Sequence, residues 1–335
     1  MPTELNINKK PFLEVRSIRK KDEKGFELSE ISFFQNRNQN IAISGATGSG
    51  KSTCMKIIAG LIQPDAGNVF FDSKRVKGPE ETLIPGHKGI AYLSQQFELR
   101  NNYKVGELLN YANELPEHQA HQIYELCRID HLLNRWTHEL SGGEKQRIAL
   151  ARLLTGLPRL FLLDEPYTNL DMTHRQIMRS VLEDIGQVLD ISFMMIAHDP
   201  ADVLSWAHEI LVLNKGSLVQ KGSPKDLYYK PADIYTAGLF GKYNLVPITF
   251  VQHYGLKIEA ESHLLLRPEQ LRICTKNDNC MQGSVIRQQF MGAHFEISVQ
   301  NESGIYFLKS ELPGFETGMN LYFEPHPELL RLSFE

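Results

Sequence analysis

Short, wholly apolar runs recur along this chain, separated by amphipathic stretches, and that rhythm predicts a layered α/β fold. Residues 40–44 (NIAIS), 160–163 (LFLL) and 191–197 (ISFMMIA) have the length and composition of strands buried on both faces. Residues 54–61, 145–154 and 173–189 lie between or after them and read as helices, the first ending near Gly60 and Pro64. Such αβ alternation indicates a mostly parallel sheet. Residues 12 to about 34 alternate apolar and polar positions and read as strands that precede the first buried run. Residues 96 to about 139 are rich in helix formers and carry a polar, amphipathic stretch from Asn102 to Trp136.

The pattern changes near residue 240. Beyond it come strand-like runs such as Phe295-Glu296-Ile297-Ser298-Val299, whose alternation fits a half-buried strand. Gly283, Gly292, Gly304, Pro313, Gly314 and Gly318 supply turns between short strands, which suggests a small all-β barrel. The expected organisation is an α/β domain over 1–238, with a helical subdomain at about 97–139, followed by a β domain over 239–335.

Composition narrows the setting. A chain of 335 residues suggests two domains, and 42% hydrophobic with 23% charged residues is ordinary for a globular protein. A net charge of -4 argues against nucleic acid as the main partner. Four cysteines, Cys54, Cys127, Cys274 and Cys280, show no metal spacing and fit a reduced, cytoplasmic setting. Cys54 follows a phosphate-binding pattern where a thiol pKa can fall, although burial as a small hydrophobe is the simpler reading. Residues 1–19 are polar and punctuated by charges, unlike a signal peptide. The apolar runs fall far short of the ~20 residues of a membrane helix.

Three motifs carry the chemistry. Gly45-Ala46-Thr47-Gly48-Ser49-Gly50-Lys51-Ser52, followed by Thr53, is a complete G-x-x-x-x-G-K-S/T phosphate loop set between a predicted strand and helix. Its glycines let backbone N–H groups face phosphate oxygens, Lys51 can reach the β and γ phosphates, and the Ser52 hydroxyl can hold magnesium. The run at 160–163 ends in Asp164 and Glu165, at the strand end where open α/β sheets place their ligand crevices. Asp164 would hold magnesium through water and Glu165 would polarise the attacking water. Leu140-Ser141-Gly142-Gly143-Glu144 places a glycine pair just before a predicted helix, at a cost of about 1 kcal/mol per glycine that suggests close approach of a ligand.

With Leu-Ser-Gly-Gly in place, the chain resembles the ATP-binding-cassette family. The resemblance implies a homodimer in which the Ser141, Gly142, Gly143 and Glu144 segment of one subunit closes over the γ-phosphate held by the other's phosphate loop. It also identifies Gln95 as the glutamine at the entry to the helical subdomain and as a magnesium ligand with Ser52 and Asp164. Spacing to Leu99 favours Gln95 over Gln96. Thr168-Asn169-Leu170-Asp171 resembles the family's D-loop, where serine is commoner than Thr168, and His198 matches its switch histidine, a catalytic partner of Glu165. The aromatic that stacks on adenine in the family falls at Asp22. Phe26 is the nearest aromatic and reads equally as an inward strand residue beside Leu28, Ile31 and Phe33.

The tail resembles importer ATPases. Leu266-Arg267-Pro268-Glu269 is similar to a segment of the OB-like TOBE accessory domain. An accessory domain of about ninety residues looks more like the iron(III), polyamine, sulfate or molybdate importer ATPases than the longer sugar type. The resemblance implies an ATP- and magnesium-dependent ATPase coupling hydrolysis to solute uptake. It would lie at the cytoplasmic face of the inner membrane, with transmembrane permease subunits and an extracytoplasmic substrate-binding protein. A soluble cassette ATPase acting on ribosomes or DNA is disfavoured by the single set of motifs and the lack of a heptad run. An exporter component is disfavoured by the accessory domain.

Overall fold

A computed structural model describes residues 11–23, 25–95, 99–251 and 263–333. Residues 1–10 of the N-terminal stretch, Gln96 and the first residues of the helical segment lie outside these. The chain divides into two units, Met1–Lys221 and Gly222–Glu335.

In the first unit, strands β1 (Leu13–Lys21) and β2 (Glu27–Gln35) pair antiparallel. With β4 (Ala66–Phe71) and β5 (Lys74–Arg75) they form a four-stranded sheet. A second sheet has the order β10-β9-β3-β8-β7-β6. Its members are β3 (Ile41–Ser44), β6 (Ile90–Leu93), β7 (Leu160–Asp164), β8 (Ser192–Ile196), β9 (Glu209–Asn214) and β10 (Ser217–Gly222). The pairs β6–β7, β7–β8, β8–β3 and β3–β9 are parallel, as the apolar runs require.

Every residue of β7 and β8 is buried. Ile41, Ile43, Leu160, Leu162, Met194, Ile196, Leu211 and Leu213 present one face of this sheet to Met55 and Ile58 of helix α1 (Lys51–Ile58) and to the inner face of the antiparallel sheet. Burial of each such side chain contributes about 1.5–3 kcal/mol, and the strand that delivers Asp164 is fixed by it. Helix α1 starts at Lys51, inside the phosphate motif, three residues earlier than the apolar spacing suggests. It ends in a Schellman turn: Leu61 N–H donates to Lys56 O and Gly60 N–H to Ile57 O, with Gly60 at φ 75°.

Helices α2 (Val105–Ala112) and α3 (Glu117–Leu126) bury Val105, Leu108 and Leu109, and Ala120, Ile123 and Tyr124, respectively. Both pack against α4 (Gly142–Leu154) and confirm the helical character of the segment. Helices α5 (Met172–Leu189) and α6 (Pro200–Leu204) flank β8. Gly186 lets α5 approach the sheet, since a Cβ there would lie 3.2 Å from the Phe193 ring.

The second unit opens with α7 (Pro224–Tyr229) and α8 (Ile234–Leu239). A two-stranded pair follows, β11 (Asn244–Pro247) with β12 (His263–Leu266). An antiparallel sheet of order β13-β17-β14-β15-β16 completes it. These strands are β13 (Leu271–Cys274), β14 (Met281–Phe290), β15 (Phe295–Asn301), β16 (Gly304–Ser310) and β17 (Asn320–Pro325), with a last short helix α9 (Pro327–Leu330). The sheet curls until its edge strands β13 and β16 meet. Asn244 extends the closure by pairing its side chain with the backbone of Phe307 at 2.9 and 2.7 Å.

Two details depart from the sequence reading. Glu296 and Ser298 of β15 are buried along with Ile297 and Val299, so the strand is covered on both faces; Lys242 neutralises Glu296 there. Gly283 lies inside β14 rather than in a turn, because a Cβ at that position would meet Val299 Cγ1 at 2.5 Å.

Candidate functional site

The turn from β3 into α1 is shaped by glycines. At Gly45 (φ 153°) a Cβ would fall 2.2 Å from the Leu213 carbonyl oxygen, and at Gly50 (φ 99°) one would strike Leu28 and Phe26 at 2.8 Å. No other residue type fits either position without displacing backbone or core. Ala46, Thr47 and Gly48 form an exposed rim, and Ser49 N–H turns back onto Ala46 O at 3.1 Å. Ser52 and Thr53 occupy the first helical turn of α1, which has no acidic side chain. The N–H groups there keep their partial positive charge unopposed.

Lys51 is only 5% exposed, and its Nζ donates to Gly45 O and Ala46 O at 2.8 and 2.9 Å. Burial lowers its pKa below the usual lysine value, while the charges of Glu165 and Asp164 work against that. Cys54, one turn on, is buried and its thiol is pushed up to about 12 by burial, so it is a core residue and not a nucleophile.

Strand β7 delivers two carboxylates opposite this helix. Asp164 Oδ1 accepts from Ser52 Oγ at 3.2 Å and Oδ2 from the Tyr92 hydroxyl at 2.7 Å. Glu165 turns the chain at φ 55° and is held by its N–H to Ile196 O at 3.0 Å. Its Oε2 accepts from Gln95 Nε2 at 2.8 Å and Thr168 Oγ1 at 3.0 Å, and its Oε1 lies 2.6 Å from His198 Nε2. Gln95, Glu165 and His198, far apart in sequence, thus meet at one carboxylate.

Ser141, Gly142, Gly143 and Glu144 form a second cluster. Ser141 is the N-cap of α4: its Oγ accepts from Glu144 N–H at 3.3 Å and its own N–H donates to Glu144 Oε2 at 2.8 Å, a capping box. The glycines therefore sit inside the first helical turn rather than before the helix. Space above Gly142 is open, whereas a Cβ on Gly143 would meet the His174 ring at 2.8 Å. Asp171 caps α5 through His174 N–H and also holds that ring's Nδ1, both at 2.8 Å. Gln146 ties α4 to the segment after Glu165 by donating to Pro166 O at 2.6 Å.

Two donors at these carboxylates were not anticipated: Thr168 appeared only within the D-loop resemblance, and Tyr92 had no assigned role. The signal was available for Tyr92: a tyrosine hydroxyl in an otherwise apolar buried strand needs a partner.

A helix N-terminus cleared by glycines and headed by a buried ammonium is a seat for polyphosphate, and two carboxylates across from it make the class a phosphate-loop nucleoside triphosphatase. Residues 28–168 match the family described as ABC transporter. The chain is 31% identical over 316 residues to the spermidine/putrescine import ATP-binding protein PotA of Clostridium acetobutylicum, covering 88% of each. It superposes on cbiO1 from Clostridium perfringens, part of the ABC transporter complex cbiONQ, with a TM-score of 0.57 and 25% identity over 65% of this chain and 91% of that one. An ATP-binding cassette of an ABC transporter in its ADP conformation matches with a TM-score of 0.57 and 25% identity over 69% of this chain and 99% of its own. The chain belongs to the ABC transporter ATP-binding family; it is an ATPase of the importer type. Among the described residues no helix is long and apolar enough to cross a membrane.

Proposed function

We propose that this protein is the motor subunit of a solute importer, working as a homodimer beneath separate transmembrane permease subunits that receive solute from an extracytoplasmic binding protein. The observation that carries the catalytic part of this reading is the convergence of Gln95, Thr168 and His198 on Glu165 beside the Ser52–Asp164 pair. Residues 1–238 would form the ATPase domain and 239–335 the accessory domain.

The N–H groups from Gly45 to Thr53 would cradle the phosphates, with Lys51 turning from its loop carbonyls to the β and γ oxygens. Ser52, Asp164 and the Gln95 amide oxygen are hard oxygen donors that suit magnesium. Held by these residues, a magnesium ion would supply positive charge that offsets the phosphates. Glu165 would orient and polarise the attacking water, and His198 would steady the γ-phosphate. The partner's Ser141 and Gly143 would complete the site from the other side, at the N-terminus of α4.

The start of the helical segment borders a cleft of about 560 Å³ lined by Tyr92, Leu93, Ser94, Leu99, Ala149 and Arg152. It would receive a permease segment, and its neighbour Gln95 bonds directly to Glu165, so docking and hydrolysis would share one lever. The peripheral position on the cytoplasmic face of the membrane follows from that partnership.

Shared sites are tested by mixing. Ser141→Arg and Lys51→Ala subunits, each inactive alone, form a heterodimer with one site carrying both defects and the other neither. Partial recovery of phosphate release on mixing is expected; none, in heterodimers shown to form by native mass spectrometry, would sink the shared-site geometry.

Adenine recognition gives a second test. Phe26 is half-buried, packs on the core and lies against Gly50. Phe26→Ala is expected to cost roughly 1–2 kcal/mol of stability, part of the value of a fully buried phenylalanine. ATP affinity per folded molecule should change little, and GTP should compete within tenfold. A strong ATP preference that disappears in Phe26→Ala without loss of thermal stability would instead make Phe26 the stacking face.

A further inference from the structure

Asp164 is 5% exposed, and each of its two carboxylate oxygens has a different donor: Ser52 Oγ on Oδ1 and the Tyr92 hydroxyl on Oδ2. The terminal torsion of an aspartate is broad and roughly two-fold. A single anchor would leave the carboxylate free to rotate, and Ser52 alone, at 3.2 Å, is a long contact. The second anchor is the shorter one. Tyr92 comes from β6, where it pairs with Leu162, two residues before Asp164 on the adjacent strand. The ring therefore reaches along β7 to the end of the strand, resting on the apolar core on the way. A carboxylate oxygen can only accept, so the tyrosine hydroxyl is the donor in this bond.

We propose that Tyr92 is a positioning residue for the reaction: its hydroxyl fixes the plane of Asp164 so that Oδ1 faces Ser52, keeping together the two side chains that would hold a divalent cation. This rests on the magnesium role given above to Ser52 and Asp164. It assigns to the ring a packing role and to the hydroxyl alone the metal-orienting role, and the two can be separated.

Tyr92→Phe keeps the ring and removes the donor, while Tyr92→Leu removes both. Manganese(II) binding to the purified full-length chain, saturated with a non-hydrolysable ATP analogue, can be titrated by electron paramagnetic resonance. In parallel, analogue affinity is measured in chelator and thermal midpoints are recorded. Loss of a hydrogen bond to a charged acceptor is expected to weaken manganese binding by about tenfold or more in Tyr92→Phe. Metal-free analogue affinity should stay at the wild-type value, the thermal midpoint should fall less than in Tyr92→Leu, and hydrolysis lost at limiting magnesium should return at high magnesium. Tyr92→Leu should show the same metal defect together with a lower midpoint. Wild-type manganese affinity in Tyr92→Phe would overturn the proposal, as would an equal loss of metal-free analogue binding. A Ser52→Ala protein that binds manganese as well as wild type would overturn the magnesium role itself, and the proposal with it.

Discussion

Glu165→Gln is expected to stop turnover while ATP stays bound. The substitution preserves shape and removes the negative charge proposed to draw a proton from the attacking water, a contribution of about 10²–10⁴ in rate for a positioned base. The surroundings tolerate the amide. Gln95 Nε2 and Thr168 Oγ1 both donate to Oε2, so a glutamine oxygen there keeps both bonds, and its NH2 then faces His198 Nε2, which can accept in the matching tautomer. No buried donor is stranded, and the fold should hold. In the proposed function nucleotide contacts are made elsewhere, by the turn at Gly45–Gly50 and by Lys51. The variant should therefore bind ATP with near wild-type affinity and accumulate as a closed dimer. Phosphate release and size-exclusion chromatography with ATP are the measurements, and hydrolysis at the wild-type rate would remove Glu165 from the mechanism.

The site was legible in the sequence wherever chemistry is local to a turn. A glycine turn into a helix needs its residues at fixed offsets, so Gly45 to Ser52 could be read directly, and a doubly buried strand must end somewhere polar, which pointed to Asp164 and Glu165. Gln95 and His198 came from family resemblance, because nothing in their own spacing brings them to Glu165; parallel pairing of β6, β7 and β8 does that. The capping box of Ser141 and Glu144 was missed although serine followed by glutamate three residues later is its usual form. The paired glycines drew the reading toward a ligand, and the helix then began at Gly142 instead of Lys145.

What the sequence hid depends on contacts across the fold. The run from Phe295 to Val299 alternates as a half-exposed strand should, yet Glu296 is buried because Lys242, more than fifty residues earlier, neutralises it. Gly283 looked like turn punctuation, and only the neighbouring strand explains it, since Val299 leaves no room for a side chain. Tyr92 belongs to the same group. Its partner, Asp164, is on another strand, and strand order is what no single run of residues reveals.

Lys51→Ala is expected to abolish hydrolysis and to weaken nucleotide binding by about a hundredfold, because charge-assisted bonds to phosphate contribute about 1.5–3 kcal/mol each. The stability consequence should be small. Burial depresses the pKa of Lys51 below its unfolded value of 10.5. Between the folded and unfolded pKa values the unfolded chain binds the extra proton, so this group's contribution to stability rises with pH across that window. Below both values the charged ammonium carries a desolvation cost that its two carbonyl partners and the nearby carboxylates offset in part. Removing it relieves that cost and leaves the Ala46 carbonyl, on the exposed rim, to solvent, but strands the buried Gly45 carbonyl, so the two effects oppose each other. Calorimetric titration with ATP and a thermal melt on the same preparation separate the two effects. Lost binding with a melting temperature near the wild-type value is the expected pair of results, and unchanged affinity would reduce the glycine turn to a structural link between β3 and α1.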